Sequence, residues 1–258
     1  MPAALAARVD PHLDAAIREA LDDAGLTPHA CAYVADLERM RFGAFRADDD
    51  VYPASVVKVP VMAEAFRRIA AGELHADDLV EVTESNQTTT WGESPFRTGV
   101  RATVRDLVER MVTHSDNVAT NQLFDVLRRE RVTAFMRELG LATFLLGRKL
   151  SGSEPLIADP EMVGRNRLPP REIGELLALI ALDRVPGAPE QRTILGQCVD
   201  DKKLAGGVRD GDVFMHKTGE TSEHSHDAGI LATQNGGAFV VVLYTTPPPR
   251  DDGAAAAS

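Results

Sequence analysis

Ser55 and Lys58 stand three residues apart in Ser55-Val56-Val57-Lys58. A serine hydroxyl becomes a nucleophile only when a base takes its proton. A lysine amine is such a base when desolvation and neighbouring cations lower its pKa. Further on, Ser115-Asp116-Asn117 supplies a second hydroxyl and a side-chain amide, and Lys217-Thr218-Gly219 supplies a cation, another hydroxyl and a glycine. Each triplet alone is common. In this order and separation they describe acyl transfer through a covalent serine intermediate.

The expected roles follow from the side chains. A helix starting near Ser55 would direct its dipole and free N–H groups at developing negative charge. Lys58, one turn later, shares that face. Val56, Val57, Val59, Pro60 and Val61 surround Lys58, so the lysine is set in an apolar run. Ser115 is placed to relay a proton between Lys58 and a leaving nitrogen, and Asn117 to orient a substrate amide. Asp116 ties the turn together. Lys217 would attract a substrate carboxylate and lower the pKa of Lys58, with Thr218 offering its hydroxyl to the same carboxylate. Gly219 lets substrate approach the backbone. The backbone N–H groups of Ser55 and Glu220 are candidates for an oxyanion hole.

These residues need elements to carry them. Asp10-Pro11 reads as a cap and first position of a helix with an apolar stripe at Leu13, Ile17 and Leu21, stopped by Gly25. Residues 30–37 and 41–45 read as a hairpin. A helix is expected from Ser55 to about Ala71, then helices over 103–113, 118–128 and 132–139. Residues 152–170 form a long irregular loop, of a length that is commonly functional. Helices over 172–182 and 190–199 follow, then strands over 213–217, 228–233 and 238–246. The terminal strands can join in one antiparallel sheet with the helical block inserted, an α+β fold. The expectation is one domain over 10–250, its α/β part about 10–50 and 205–250 and its helical part about 55–200. A disordered tail is expected over 251–258.

Composition excludes several classes. The 258 residues carry a net charge of −11 and are 44% hydrophobic. Such a chain buries a sizeable core but has no basic footprint for nucleic acid or an anionic membrane. No apolar run is long enough to span a bilayer. The N-terminus lacks the basic and apolar regions of a secretory signal, so the chain reads either as a form with its signal removed or as a cytoplasmic protein. Cys31 and Cys198 fit no metal-ligand spacing and read as buried free thiols. His224, His226 and Asp227 lack the further histidines a zinc site needs, so no metal is expected. Trp91 is either a cleft wall or an ordinary aromatic.

With these motifs and their flanks, the chain resembles the class A serine β-lactamases and the related penicillin-binding transpeptidases. The flanks are Thr103-Val104-Arg105-Asp106-Leu107, His114 before the second motif, Ala119-Thr120-Asn121, Leu204-Ala205-Gly206-Gly207, His216 and Tyr244-Thr245-Thr246. The resemblance spans about residues 10 to 247. It implies a β-lactamase or transpeptidase-like fold, ring opening through an acyl-enzyme on Ser55, a small-molecule substrate, no cofactor, a monomer, and a periplasmic or secreted location. It breaks in two places. The family's loop glutamate sits in a Glu-x-x-Leu-Asn pattern that is absent here. Glu154 and Glu161 are the two acids in range, Glu154 nearer the expected place. After Lys217-Thr218-Gly219 the family carries a basic residue for the substrate carboxylate. Here no arginine stands there, and His226 is the partial substitute.

Overall fold

The computed structural model describes residues 7–246. The segment 251–258, expected to be a disordered tail, lies outside the described residues. Six strands form the main sheet: β1 (Arg8–Val9), β2 (Ala30–Asp36), β3 (Arg41–Phe45), β6 (Val213–Glu220), β7 (Ser225–Ala232) and β8 (Ala238–Thr245). Their order is β1-β3-β2-β8-β7-β6. All pairs are antiparallel except the short β1, which runs parallel to β3 and has too few residues for an alternation signal. The chain ends thus close one sheet, as expected, with β6 at its edge. A second, two-stranded sheet of β4 (Leu79–Glu81) and β5 (Arg101–Thr103) was not foreseen.

The period-2 alternation of β2 separates two cores. Ala30 and Ala32 join Ile17 and Leu21 of α1 (Pro11–Asp23) and Phe45 on one face. Cys31, Tyr33 and Ala35 enter the large core on the other face. Asp10 caps α1 by accepting the His12 N–H at 2.9 Å, with Pro11 in the first turn. The large core continues into α2 (Lys58–Ala70), α3 (Val104–Thr113), α4 (Asn117–Leu127) and α5 (Arg129–Glu138). Thr103 and Asp106 form a reciprocal capping box at the start of α3. α6 (Pro170–Ala181) packs on β2, β7 and β8, and α7 (Ala188–Leu195) on α6 and β6. The expected helical part of about 55–200 therefore includes a helix that covers the sheet. The apolar face of α6 is what the sheet needs to bury, and sequence order does not reveal that pairing.

Residues 139–169 hold no helix or strand, only an isolated bridge between Leu145 and Arg167. Among the described residues no helix is long and apolar enough to cross a membrane.

Candidate active site

Ser55 lies in a 3-10 turn over Ala54–Val57, and Lys58 is the first residue of α2. The expected α-helical start is thus a tighter turn running into the helix, a frequent form of helix N-terminus. Ala54 takes a left-handed backbone (φ 47°), as does Ser115 (φ 56°). Of the six non-glycine residues with positive φ among the described residues, these two are the one before Ser55 and Ser115 itself.

Lys58 is fully buried. Its Nζ lies 2.7 Å from the Ser115 carbonyl, 3.0 Å from Ser115 Oγ and 2.8 Å from Asn117 Oδ1. Burial, and next the charge of Lys217, push its pKa well below the usual lysine range, with Asp116 opposing. Asp116 itself caps α4 by accepting the Ala119 N–H at 3.0 Å, so the second motif is a turn held by its middle residue. That cap leaves Ser115 and Asn117 facing Lys58.

The third motif sits within β6 rather than at a strand end. Lys217 is also fully buried, donates to the Thr218 carbonyl at 2.8 Å, and has its pKa lowered by burial. A Cβ on Gly219 would come within 3.0 Å of Pro53 O, 3.1 Å of Val56 Cγ2 and 3.2 Å of Ala54 Cβ. The glycine therefore admits the Ser55 turn itself against the strand. Glu220, next in line, is exposed and pairs through its carboxylate with Lys203 at 2.7 Å.

His226, read as a stand-in for an arginine, is 1% exposed. Its Nδ1 accepts the Thr245 N–H at 3.1 Å, and its Nε2 faces the Tyr52 carbonyl at 2.9 Å. Its ring stacks on Tyr244 with centroids 4.1 Å apart. Both nitrogens are committed to the protein. The side chain thereby ties β7 and β8 to the segment entering Ser55 and leaves no donor for a substrate carboxylate. Residues 221–224 are the loop of the β6–β7 hairpin, and His226 and Asp227 lie in its buried strand β7. A hydrophilic sequence buries there because backbone groups meet the His226 nitrogens, and His216 and the Leu204 N–H meet Asp227.

Glu154 and Glu161 part company. Glu161 pairs with Arg129 at 3.3 Å, beside the buried Arg129–Asp159 pair at 2.6 Å. Glu154 is exposed, and the Glu154–Pro155 peptide is cis. Its neighbour Ser153 bonds Thr89 Oγ1 at 2.8 Å, and the Thr89 carbonyl accepts from Asn117 Nδ2 at 3.0 Å. A Cβ on Gly152 would overlap the Thr89 carbonyl. So this stretch of the loop lies against a segment that touches Asn117, and two residue contacts connect Glu154's neighbour to the Lys58 cluster. Trp91, on the same segment, is 65% exposed.

Two asparagines to which the sequence reading gives no role hold that loop. Asn166 is fully buried and closes the loop's neck. Its Oδ1 accepts the N–H groups of Gly147 (2.7 Å) and Arg148 (3.0 Å), and its Nδ2 donates to the Arg148 carbonyl at 3.1 Å. Asn121 of α4 grips Leu150 on both backbone groups, at 2.8 and 2.9 Å.

The family model described as the beta-lactamase enzyme family matches residues 12–258. The beta-lactamase regulatory protein BlaB of Streptomyces cacaoi is 32% identical over 126 residues, 48% of this chain and 40% of that protein. The chain thus matches less than half the length of that relative. PBP-A superposes with a TM-score of 0.82 at 22% identity, covering 95% of this chain and 91% of that one. A mutant of PBP-A is known as an acyl-enzyme complex with penicillin G. A β-lactamase from Sphaerobacter thermophilus DSM 20745 gives 0.79 at 24% identity, covering 92% and 89%. These structural likenesses speak to the α+β fold.

Proposed function

The chain belongs to the beta-lactamase enzyme family, and from that premise we propose that it opens β-lactam rings through an acyl-enzyme on Ser55. The single observation that supports this most is the buried Lys58 amine, held by Ser115 and Asn117 just beyond the Ser55 turn. A lysine whose pKa is depressed can take the Ser55 proton near neutral pH. Ser55 Oγ attacks the lactam carbonyl, and the backbone N–H groups of Ser55 and Glu220 receive the oxyanion. The proton passes through Ser115 to the departing nitrogen. Lys217, Thr218 and Asn117 position the substrate, with Lys217 and Thr218 taking its carboxylate. Water activated by Glu154 then releases the product and frees Ser55.

A second reading keeps acylation and drops the last step: a penicillin-binding acyl acceptor acting on D-Ala-D-Ala-type peptides or another amide or ester. Two observations favour it. Glu154 makes no hydrogen bond or ion pair among the described residues, and Ala158 stands where the family pattern has asparagine.

Intact-mass spectrometry of the protein with penicillin G, followed over time beside drug loss, separates the two. Drug consumption with a transient adduct, absent in Ser55→Ala, supports hydrolysis. A persistent adduct on Ser55 supports the acceptor. Neither adduct nor consumption sinks both.

A further inference from the structure

Lys203 brings an ammonium to the third motif from outside it. Strand alternation and register define the two faces of β6 there. Gly219 turns toward Pro53 and Ala54, and Lys217, two residues earlier, shares that face. Thr218 and Glu220 take the opposite face, with Asp227 directly across from Thr218 on β7. The Asp227 carboxylate accepts the Leu204 N–H at 3.1 Å and meets His216 Nδ1 at 2.8 Å, so the chain at Leu204 is anchored to the Thr218 face. Lys203 is the residue before. Its Nζ donates to the Gly219 carbonyl at 2.9 Å and to the His226 carbonyl at 3.4 Å, and it pairs with Glu220 Oε2 at 2.7 Å. Gly219 and His226 are cross-strand partners, so the ammonium is seated on one pair, beside the residue whose N–H is assigned to the oxyanion.

We propose that Lys203 binds the carboxylate of the acyl-transfer substrate together with Thr218, and that the Glu220 carboxylate occupies this place until the substrate displaces it. The inference rests on the reading of Ser55 as the acylated serine. It narrows the substrate class to lactams or amides that carry a carboxylate beside the reacting nitrogen.

The three contacts of Lys203 differ in kind. Two are backbone carbonyls, which fix the ammonium in place and leave its charge uncompensated. The third is a carboxylate on a side chain that is 66% exposed, against 16% for Lys203. A pair with so open a partner is weak and screened by salt. An incoming carboxylate that also gains the Thr218 hydroxyl can therefore replace Glu220. Lys217 is fully buried on the other face and donates to the Thr218 carbonyl. It acts on a substrate carboxylate through its field, whereas Lys203 can touch one. His226, with both nitrogens bound to the protein, contributes its backbone carbonyl to seating Lys203. Glu220 is thus an internal stand-in for the substrate carboxylate, and it opposes the binding of what Lys203 attracts.

The test compares penicillin G with its methyl ester, which lacks the negative charge. Second-order rates of Ser55 acylation are read by intact-mass spectrometry and expressed as the acid-to-ester ratio. Lys203→Met should lower that ratio at least about tenfold, and Glu220→Gln should raise it at least about threefold. Lys203→Arg, which keeps the charge, should stay closer to the wild-type ratio than Lys203→Met. A lysine that merely ties β6 to β7 would slow acid and ester alike and leave the ratio in place. An unmoved ratio in Lys203→Met overturns the proposal, as does an unmoved or lowered ratio in Glu220→Gln. If Lys203→Met does not fold, Glu220→Gln decides alone, because its side chain is exposed. Acylation of the wild type by neither compound sinks the β-lactam reading and this inference with it. Acylation by both, with ratios that the substitutions do not move, sinks this inference alone.

Discussion

The two sides of the Ser55 site are built differently. On one side, Lys58, Lys217 and Asp116 are almost wholly buried, and each has its polar atoms met by named partners. On the other, the 151–158 stretch is largely exposed, and Glu154 projects from it with no partner among the described residues. The first side is preorganised for taking a proton and holding charge. The second is held at its neck, at Leu150 by Asn121, at Asp159 by Arg129, and at Thr88 and Thr89. On the proposed reading, making the acyl-enzyme rests on a rigid site, and clearing it rests on a loop acid whose position is set by few contacts. Few anchors mean a broader range of positions, and general-base catalysis depends steeply on geometry.

The largest expected effect breaks the rigid side. Lys58→Met keeps the volume but removes the base, and acylation by penicillin G in stopped-flow should fall by roughly 10³-fold. In the wild type the acylation rate should climb with pH over a limb lying well below the ordinary lysine range, because the neutral amine is the active form. Lys217→Gln removes a charge that depresses Lys58, so the limb should move to higher pH. A limb that stays in place would remove Lys217 from the electrostatic account.

Glu154→Gln tests the loose side. The acyl-enzyme should persist at least about tenfold longer while acylation changes less than roughly twofold. Glu161→Gln should leave both within about twofold, since its carboxylate faces Arg129. Equal adduct lifetimes in wild type and Glu154→Gln would leave the loop without its proposed water-activating role.

The neck is the third point of attack. Asn166→Ala leaves the N–H groups of Gly147 and Arg148 unpaired at a buried position. It should cost about 2–3 kcal/mol in urea unfolding. Deacylation should slow more than acylation, which would sharpen the contrast between the two sides. Equal losses in both steps would mean the loop and the Lys58 cluster act as one unit.

How much of this was legible follows from the range of each interaction. The three motifs declare themselves because their chemistry needs particular residue types, and Ser55 and Lys58 stay one turn apart where the 3-10 turn runs into α2. The same holds for Asp10-Pro11 and the Thr103–Asp106 box, whose partners lie within three residues. Asn166 bonds residues 18 and 19 positions away, so its only sequence signal is an asparagine in a long loop, which says nothing of those partners. Gly219 looked like an opening for substrate because nothing in the sequence says that Pro53 and Ala54 lie against it. Cys198 reads as helical from its sequence, whereas α7 stops at Leu195.

His226 gives the smallest expected effect on catalysis and the most direct check on a misreading. As a substrate ligand, its loss would raise KM for carboxylate-bearing penicillins. With both nitrogens bound to backbone groups, His226→Gln should change KM by less than about twofold. The effect belongs to stability and its pH dependence. Burial lowers the His226 pKa from 6.5 to about 4, partly opposed by its backbone hydrogen bonds. Between these values the unfolded chain binds the proton and the folded one does not, so folding weakens as pH falls from 6.5 toward 4. Below about 4 both forms are protonated and this contribution levels off. Urea midpoints measured across that window should fall with acid in the wild type and fall less steeply in His226→Gln. Parallel slopes, or a KM that rises severalfold, would return His226 to the substrate side of the site.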